Sequence, residues 1–434
     1  MTLAFRDQAA IWHPLTQHQI TPPPLPIMRG EGAYLIDQLG NRYLDLVSSW
    51  WVTIHGHAQP DIAKAIYEQA LKIEQVIFAG FTHEPAVRLA EELLTLLPAH
   101  FNKIYYSDNG STAVEVALKM AYQYWRNQGK RRRSRFIAFK QGYHGDTFGA
   151  MAVSKESFYF KQFSDLLFAV DLFDYPATWL GDTQVEEKEY IIIKKLKSHL
   201  NKHSEETAAL IIEPLIQAAG GMNMCRPEFL QQLIAVVKSY DVLIIYDEIM
   251  TGFYRTGEMF ACDKSHTAPD IICLSKGLTG GFLPLSVTVC TEAIYQAFLG
   301  SDYTKALGHS HSYTANPLGC AAALASLKLL QRSETRSQLK LIERIHLEEL
   351  FSTRENLNVE KIRYHGTVAA FDLVLSAEYG SQASVNLRER FLKHGLIIRP
   401  LGNIVYLLPP YCISESDLRR AYHLIRKEMK GITT

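Results

Sequence analysis

The sequence has no excess of either charge: 45 lysines and arginines face 45 aspartates and glutamates over 434 residues. No global field therefore draws nucleic acid or an anionic membrane, and neither partner is expected. No uninterrupted apolar run is long enough to cross a bilayer. The opening residues, MTLAFRDQAAIWHP, lack the basic start, long apolar stretch and small-residue cleavage site of a secretory signal. No C-x-x-C pair occurs. The six cysteines (Cys225, Cys262, Cys273, Cys290, Cys320 and Cys412) are scattered, which fits reduced thiols better than a disulfide framework. Repeats and low-complexity tracts are also missing. These absences lead us to expect a cytoplasmic protein.

What is present is an ordinary globular composition, 47% apolar and 21% charged, in a chain long enough for one large and one smaller domain. The proline-rich stretch Pro22–Pro26 must be extended, because proline fixes φ and lacks an N–H. The following GEGAYLIDQLGNRYLDL alternates around Gly40-Asn41, as a hairpin does. Beyond residue 60, apolar residues recur at helical spacing: Ile62, Ile66, Ala70 and Ile73, then Ala113, Ala117, Met120, Ala121 and Tyr124. Between such stretches lie short, wholly apolar runs at Phe136–Phe139, Ala208–Ile212, Val242–Ile245 and Ile271–Leu274. Strands apolar on both faces belong to sheets covered on both sides. The alternation predicts an α/β domain with a mostly parallel sheet. We expect an N-terminal arm and part of a small domain over 1–55, the large domain over 56–315, and a smaller α+β domain over 316–434. The basic run Lys130–Arg133 reads as a solvated loop.

Chemistry concentrates between residues 243 and 281. An apolar strand runs into Asp247-Glu248, and a second ends in Ser275-Lys276 before the glycine-rich Gly277–Gly281. Ligands of open α/β sheets bind at the carboxyl ends of strands. Acids placed there are costly to bury without a partner. Upstream, Ser107–Thr112 links a strand-like Ile104–Tyr106 to an amphipathic helix. Free N–H groups at such a helix start suit a phosphate, although a plain helix cap would use the same residue types. Tyr143 follows another strand, where an aromatic can stack on a ligand or simply fill the core. His55, His57, His309 and His311 lack the spacing of a metal site, and no metal is expected.

The segment IIYDEIMTGFYRTG, followed after a gap by DIICLSKGLTGG, resembles the cofactor-attachment signature of the class III aminotransferases in residue type and spacing. That resemblance implies a fold-type I α/β enzyme with a mostly parallel, seven-stranded type of sheet, using pyridoxal 5'-phosphate. Lys276 would carry the cofactor as a Schiff base, and Asp247 would bind its pyridine nitrogen. A carboxylate there raises the nitrogen's pKa, and desolvation of the lysine frees a neutral amine. The resemblance further assigns Gly110 and Ser111 to the phosphate, and Tyr143 to the ring face as a third catalytic residue. His311 and Ser312 would reach the cofactor of a second subunit, which implies a homodimer with shared active sites.

Other motifs resemble the biotin-synthesis branch of this family: Ile11–Pro14, Ser48–Trp51, YHGDTFGA from Tyr143, Ile398-Arg399-Pro400 and Tyr406–Tyr411. That branch aminates 8-amino-7-oxononanoate to 7,8-diaminononanoate. Most members use S-adenosylmethionine as donor, and a smaller group uses lysine. Trp50 and Trp51 would wall an apolar channel, Arg399 would clamp the substrate carboxylate, and Arg255, Ser310 and Tyr406 would complete the substrate site. Ala219 stands where ω-aminotransferases of ornithine or γ-aminobutyrate carry a switching glutamate, which argues against those activities. Two departures concern the substrate end: Leu15 replaces a tyrosine, and Ser310-His311-Ser312 replaces Gly-Pro-Thr. We expect S-adenosylmethionine as donor. The rivals are the same reaction with lysine, another class III ω-aminotransferase or an aminomutase. Outside enzymes, the rival is a pyridoxal-phosphate-binding regulator, which would need an added DNA-binding segment not found here.

Overall fold

The wholly apolar runs become the inner strands of a seven-stranded sheet in the computed structural model, which describes residues 2–155, 158–375 and 380–430. From edge to edge the order is Phe101–Ser107, Ser286–Thr291, Ile271–Leu274, Leu243–Asp247, Thr207–Ile212, Arg135–Phe139 and Val170–Phe173. Ser286–Thr291 runs antiparallel to both neighbours. The other pairings are parallel. This is a fold-type I α/β architecture.

Successive strand residues point to opposite faces, and both faces are covered. Ile245, Ile271 and Cys273 pack with Ala113, Ala117 and Ala121 of helix Gly110–Asn127. Ile244, Ile272 and Leu274 pack in the second cluster with Phe229, Leu230 and Leu233 of helix Pro227–Lys238. The register sets Asp247 level with Cys273, so the two inner strands end at one edge of the sheet.

The two ends of the chain meet in smaller sheets. The expected hairpin forms, with Tyr34–Asp37 antiparallel to Arg42–Asp45. Leu396–Ile397 adds to it in parallel, Leu396 opposite Leu44. A three-stranded sheet follows from Val359–His365, Val368–Leu373 and Ile404–Leu407. Helices Ser333–Asn356 and Glu415–Met429 pack on each other beside it. This arrangement brings Trp51, Arg399 and Tyr406, distant in sequence, toward one place.

The basic run departs from the expected solvated loop. Lys130, Arg131 and Arg132 are exposed, but Arg133 is buried. Its guanidinium lies 4.1 Å above the Trp125 ring and donates to the Asp241 carbonyl. Flat and weakly hydrated, a guanidinium can stack on an aromatic face where an ammonium would lose more solvation. Among the described residues no helix is long and apolar enough to cross a membrane.

Candidate active site

A cavity of about 260 Å³ opens at the carboxyl edge of the large sheet. Asp247 enters it as the last residue of its strand and is 4% exposed. Oδ2 lies 2.7 Å from His144 Nδ1, and Oδ1 accepts the Ile249 N–H at 3.1 Å. Burial pulls the pKa of His144 down, but the hydrogen bond and charge of Asp247, with Glu213, outweigh it and leave it raised. The neighbouring Glu248 turns away from the cavity. Its carboxylate accepts the N–H groups of Ala261 (2.6 Å) and Cys262 (2.9 Å), so backbone donors rather than a charged partner satisfy it.

Lys276 begins a short 3-10 turn directly after the adjacent strand and lines the same cavity. Its φ of 42° lies in the left-handed region, a strained position for a residue with a Cβ. Nζ sits 4.5 Å above the Trp51 ring. Burial brings the amine down to about 8, against the pull of Asp247 and Glu213 and with help from the Arg255 charge.

Opposite them begins the helix Gly110–Asn127. The Asn109 side chain caps the Thr112 N–H at 3.0 Å. The N–H groups of Gly110 and Ser111 have no protein acceptor among the described residues. A helix start of this kind binds anions. Gly110 and Gly145 keep the cradle open: a Cβ on Gly110 would lie 3.0 Å from Ile249, and one on Gly145 would meet Ser111 Oγ at 2.1 Å. Tyr143 lines the cavity, its ring stacked on Phe160 at 5.9 Å and its hydroxyl 3.0 Å from Asp146.

Trp51 is placed by a sharply kinked segment. Ser48, Ser49 and Trp51 all have positive φ. The buried Asp45 staples this turn by accepting the N–H groups of Val47 (3.0 Å) and Ser49 (2.6 Å), while His57 Nε2 meets its Oδ2 at 2.9 Å. Trp51 Nε1 then donates to the Tyr406 hydroxyl at 3.1 Å, and Arg399 stacks 4.3 Å above the outward-facing Trp50.

The structure thus gathers Gly110, Ser111, Tyr143, Asp247, Lys276 and Trp51 around one cavity, with Tyr406 behind Trp51. It does not bring every expected residue there. Arg255 is 1% exposed and does not line the cavity; it stacks 5.0 Å from Tyr411 and donates to the Pro409 carbonyl at 3.0 Å. Ser310, His311 and Ser312 also lie outside it, beside Gln75, whose amide donates to the Ser312 carbonyl. His144, Glu213, Met250 and Thr251 line the cavity without having been singled out. Met250 and Thr251 follow Asp247-Glu248 inside the same motif, which was the available signal. Glu213 accepts the N–H groups of Tyr143 and Ala218, both at 3.0 Å, and burial pushes its carboxyl up to about 7.

The family profile described as Aminotransferase class-III matches residues 15–429. The chain belongs to the class III aminotransferases. It is similar to the adenosylmethionine-8-amino-7-oxononanoate aminotransferase of Synechococcus elongatus, 50% identical over 96% of this chain and 97% of that protein. The crystal structure of the enzyme of the same name from Methanocaldococcus jannaschii superposes with a TM-score of 0.91 at 37% identity, covering 99% of this chain and 98% of that one. An amine transaminase from an uncultivated Pseudomonas species, solved in its PLP-bound form, gives a TM-score of 0.91 at 29% identity over 98% and 99% of the two chains.

This class III aminotransferase uses pyridoxal phosphate, and its cavity fits that group. The free N–H groups of Gly110 and Ser111 at the helix start suit the phosphate, a buried carboxylate suits a ring nitrogen, an amine of lowered pKa suits the aldehyde, and aromatic faces suit the ring.

Proposed function

We propose that this enzyme transfers an amino group from S-adenosylmethionine to 8-amino-7-oxononanoate, forming 7,8-diaminononanoate for biotin synthesis. The observation that carries the substrate reading is Arg399 stacked on Trp50, beside the Trp51 wall over Lys276. Neither Trp50 nor Arg399 lines the cavity itself, but a guanidinium stacked on a tryptophan beside that wall suits a long methylene chain ending in a carboxylate. The names of the relatives from Synechococcus elongatus and Methanocaldococcus jannaschii support the same substrates.

Gly110 and Ser111 would hold the cofactor phosphate, Tyr143 would lie against the ring, and Lys276 would hold the aldehyde end. Bound there, pyridoxal phosphate supplies an electron sink for the carbon that loses its proton. Asp247 keeps a proton on the ring nitrogen, because a buried carboxylate favours the charged form beside it. Lys276 Nζ would take the proton from the donor carbon and return it as an acid. Trp51 and Tyr406 shield that amine from water. The acceptor then uses the same residues in reverse, so the kinetics are ping-pong.

The enzyme works as a homodimer in this reading, with His311 and Ser312 completing the partner's phosphate site. Both ring nitrogens of His311 are buried without a hydrogen-bond partner, which calls for a group from outside the chain. Large apolar side chains are also exposed, Trp12 at 90% and Tyr303 at 92% among them. We place it in the cytoplasm, where its six free cysteines stay reduced.

The test is a coupled mass-spectrometric assay with 8-amino-7-oxononanoate as acceptor and a panel of donors. Formation of 7,8-diaminononanoate is expected. Turnover of γ-aminobutyrate or ornithine with no amination of this acceptor would overturn the reading.

A further inference from the structure

A second cavity, of about 300 Å³, lies at the edge of the large sheet, away from the active site. Ile104 and Tyr105 of the edge strand and Met120 of helix Gly110–Asn127 form its floor. Tyr295 and Phe298 wall it, and Leu307 helps to roof it. Here the roof is held up from outside. Gln123 donates to the carbonyls of Lys305 (3.1 Å) and Ala306 (2.9 Å), Asn127 donates to Lys305 (3.1 Å), and the Tyr105 hydroxyl donates to His309. These bonds hold residues 305–309 along the helix while the inner side of Leu307 spans the hollow.

The lining carries one formal charge. Lys103 Nζ lies 4.8 Å above the Tyr295 ring and makes no salt bridge among the described residues. The nearby acid Glu292 is engaged by Gln296. An apolar hollow with an ammonium at its mouth is complementary to an amphipathic anion.

We infer that this cavity is a binding site for a medium-chain fatty acid, its tail under Leu307 and its carboxylate on Lys103. Its roof continues into Ser310-His311-Ser312. Resting on the reading that these residues serve the partner's cofactor, a bound acid stiffens or lifts that segment and so alters turnover.

Octanoate, which has neither the amine nor the ketone of the proposed acceptor, is the probe. Saturable binding to the loaded enzyme is expected by titration calorimetry and saturation-transfer NMR. It should weaken about tenfold or more in Lys103→Ala, the scale of a lost charge-assisted contact. It should vanish in Leu307→Trp, which fills the hollow, and persist in Arg399→Ala. Octylamine should not compete. Absence of saturable binding overturns the site. So does binding that survives Lys103→Ala but is lost in Arg399→Ala, which would put octanoate in the active site instead. Melting curves of each variant identify any that fails to fold, and octylamine competition on the unmutated enzyme tests the charge requirement independently. Binding that meets these criteria without changing turnover overturns the regulatory part alone.

Discussion

His144 Nδ1 stands 2.7 Å from Asp247 Oδ2, with both side chains buried. The imidazole therefore orients the carboxylate from behind. Replacing Asp247 by Asn should slow single-turnover deamination on the order of a hundredfold or more, the scale of a preorganised electrostatic contact. His144→Ala should cost less, about tenfold, and should move the pH profile, because the carboxylate loses its partner but stays in place. Unchanged deamination by the Asp247 variant would remove that residue from its role.

Lys276→Ala should abolish turnover and the cofactor's bound absorbance. In the unmutated chain, the rate at which the Lys276 amine captures pyridoxal phosphate should rise with pH and level off above about 8, where the amine is neutral. Asp247 pulls this pKa up, so Asp247→Asn should shift the midpoint lower. Stopped-flow absorbance on the stripped enzyme follows both. A midpoint near about 10, the ordinary lysine value, would contradict the buried environment.

Much of this arrangement was legible in the sequence, for reasons that also mark where legibility stopped. Ile271–Leu274 reads as an inner strand because a strand covered on both faces needs no polar position. Asp247 and Lys276 stand out because each follows such a run. The pairing of His144 with Asp247 spans 103 residues and leaves no local pattern. The turn presenting Trp51 depends on Asp45 and His57 holding residues at positive φ, which side-chain types alone do not announce. Arg133 misled for a different cause: a charged run looks solvated, yet one member found the Trp125 face. The Ser310–Ser312 segment lies off its own chain's cavity, and its role depends on an assembly that one sequence does not display.

Glu213 gives a stability test. Its carboxyl sits at about 7 in the folded chain against 4.5 unperturbed, so the folded state holds the extra proton between those values. Its contribution to stability is greatest below about 4.5 and falls as pH rises through 7. Glu213→Gln should flatten this dependence. Melting temperatures taken at about pH 5 and about pH 8 should shift in the variant's favour at the higher pH. The opposite shift would mean the carboxylate is stabilised in its charged form.

Arg399→Ala should raise KM for the keto-acid acceptor by a factor of some tens to a hundred, as expected for a lost bidentate contact, and leave donor deamination nearly intact. Arg399→Lys should recover little, since an ammonium neither forks onto a carboxylate nor stacks on Trp50 in the same way. Equal damage to both half-reactions would place Arg399 elsewhere in the chemistry.

The donor is the last question, and the residues pull in two directions. S-adenosylmethionine brings a flat adenine and a sulfonium, which the exposed side of Trp50 accommodates by stacking and cation–π attraction. Against it, Leu15 offers no phenol, and Ser310-His311-Ser312 departs from Gly-Pro-Thr. Leu15 is 55% exposed on the N-terminal arm, so it does not close the donor's path within its own chain. The aromatic surface supports the proposed donor, S-adenosylmethionine. Mixing the loaded enzyme with each donor in a stopped-flow instrument should show rapid amination of the cofactor by S-adenosylmethionine and slow or no reaction with lysine. Rapid reaction with lysine alone would reverse the donor assignment, and it would trace specificity to the 310–312 segment rather than to the tryptophan wall.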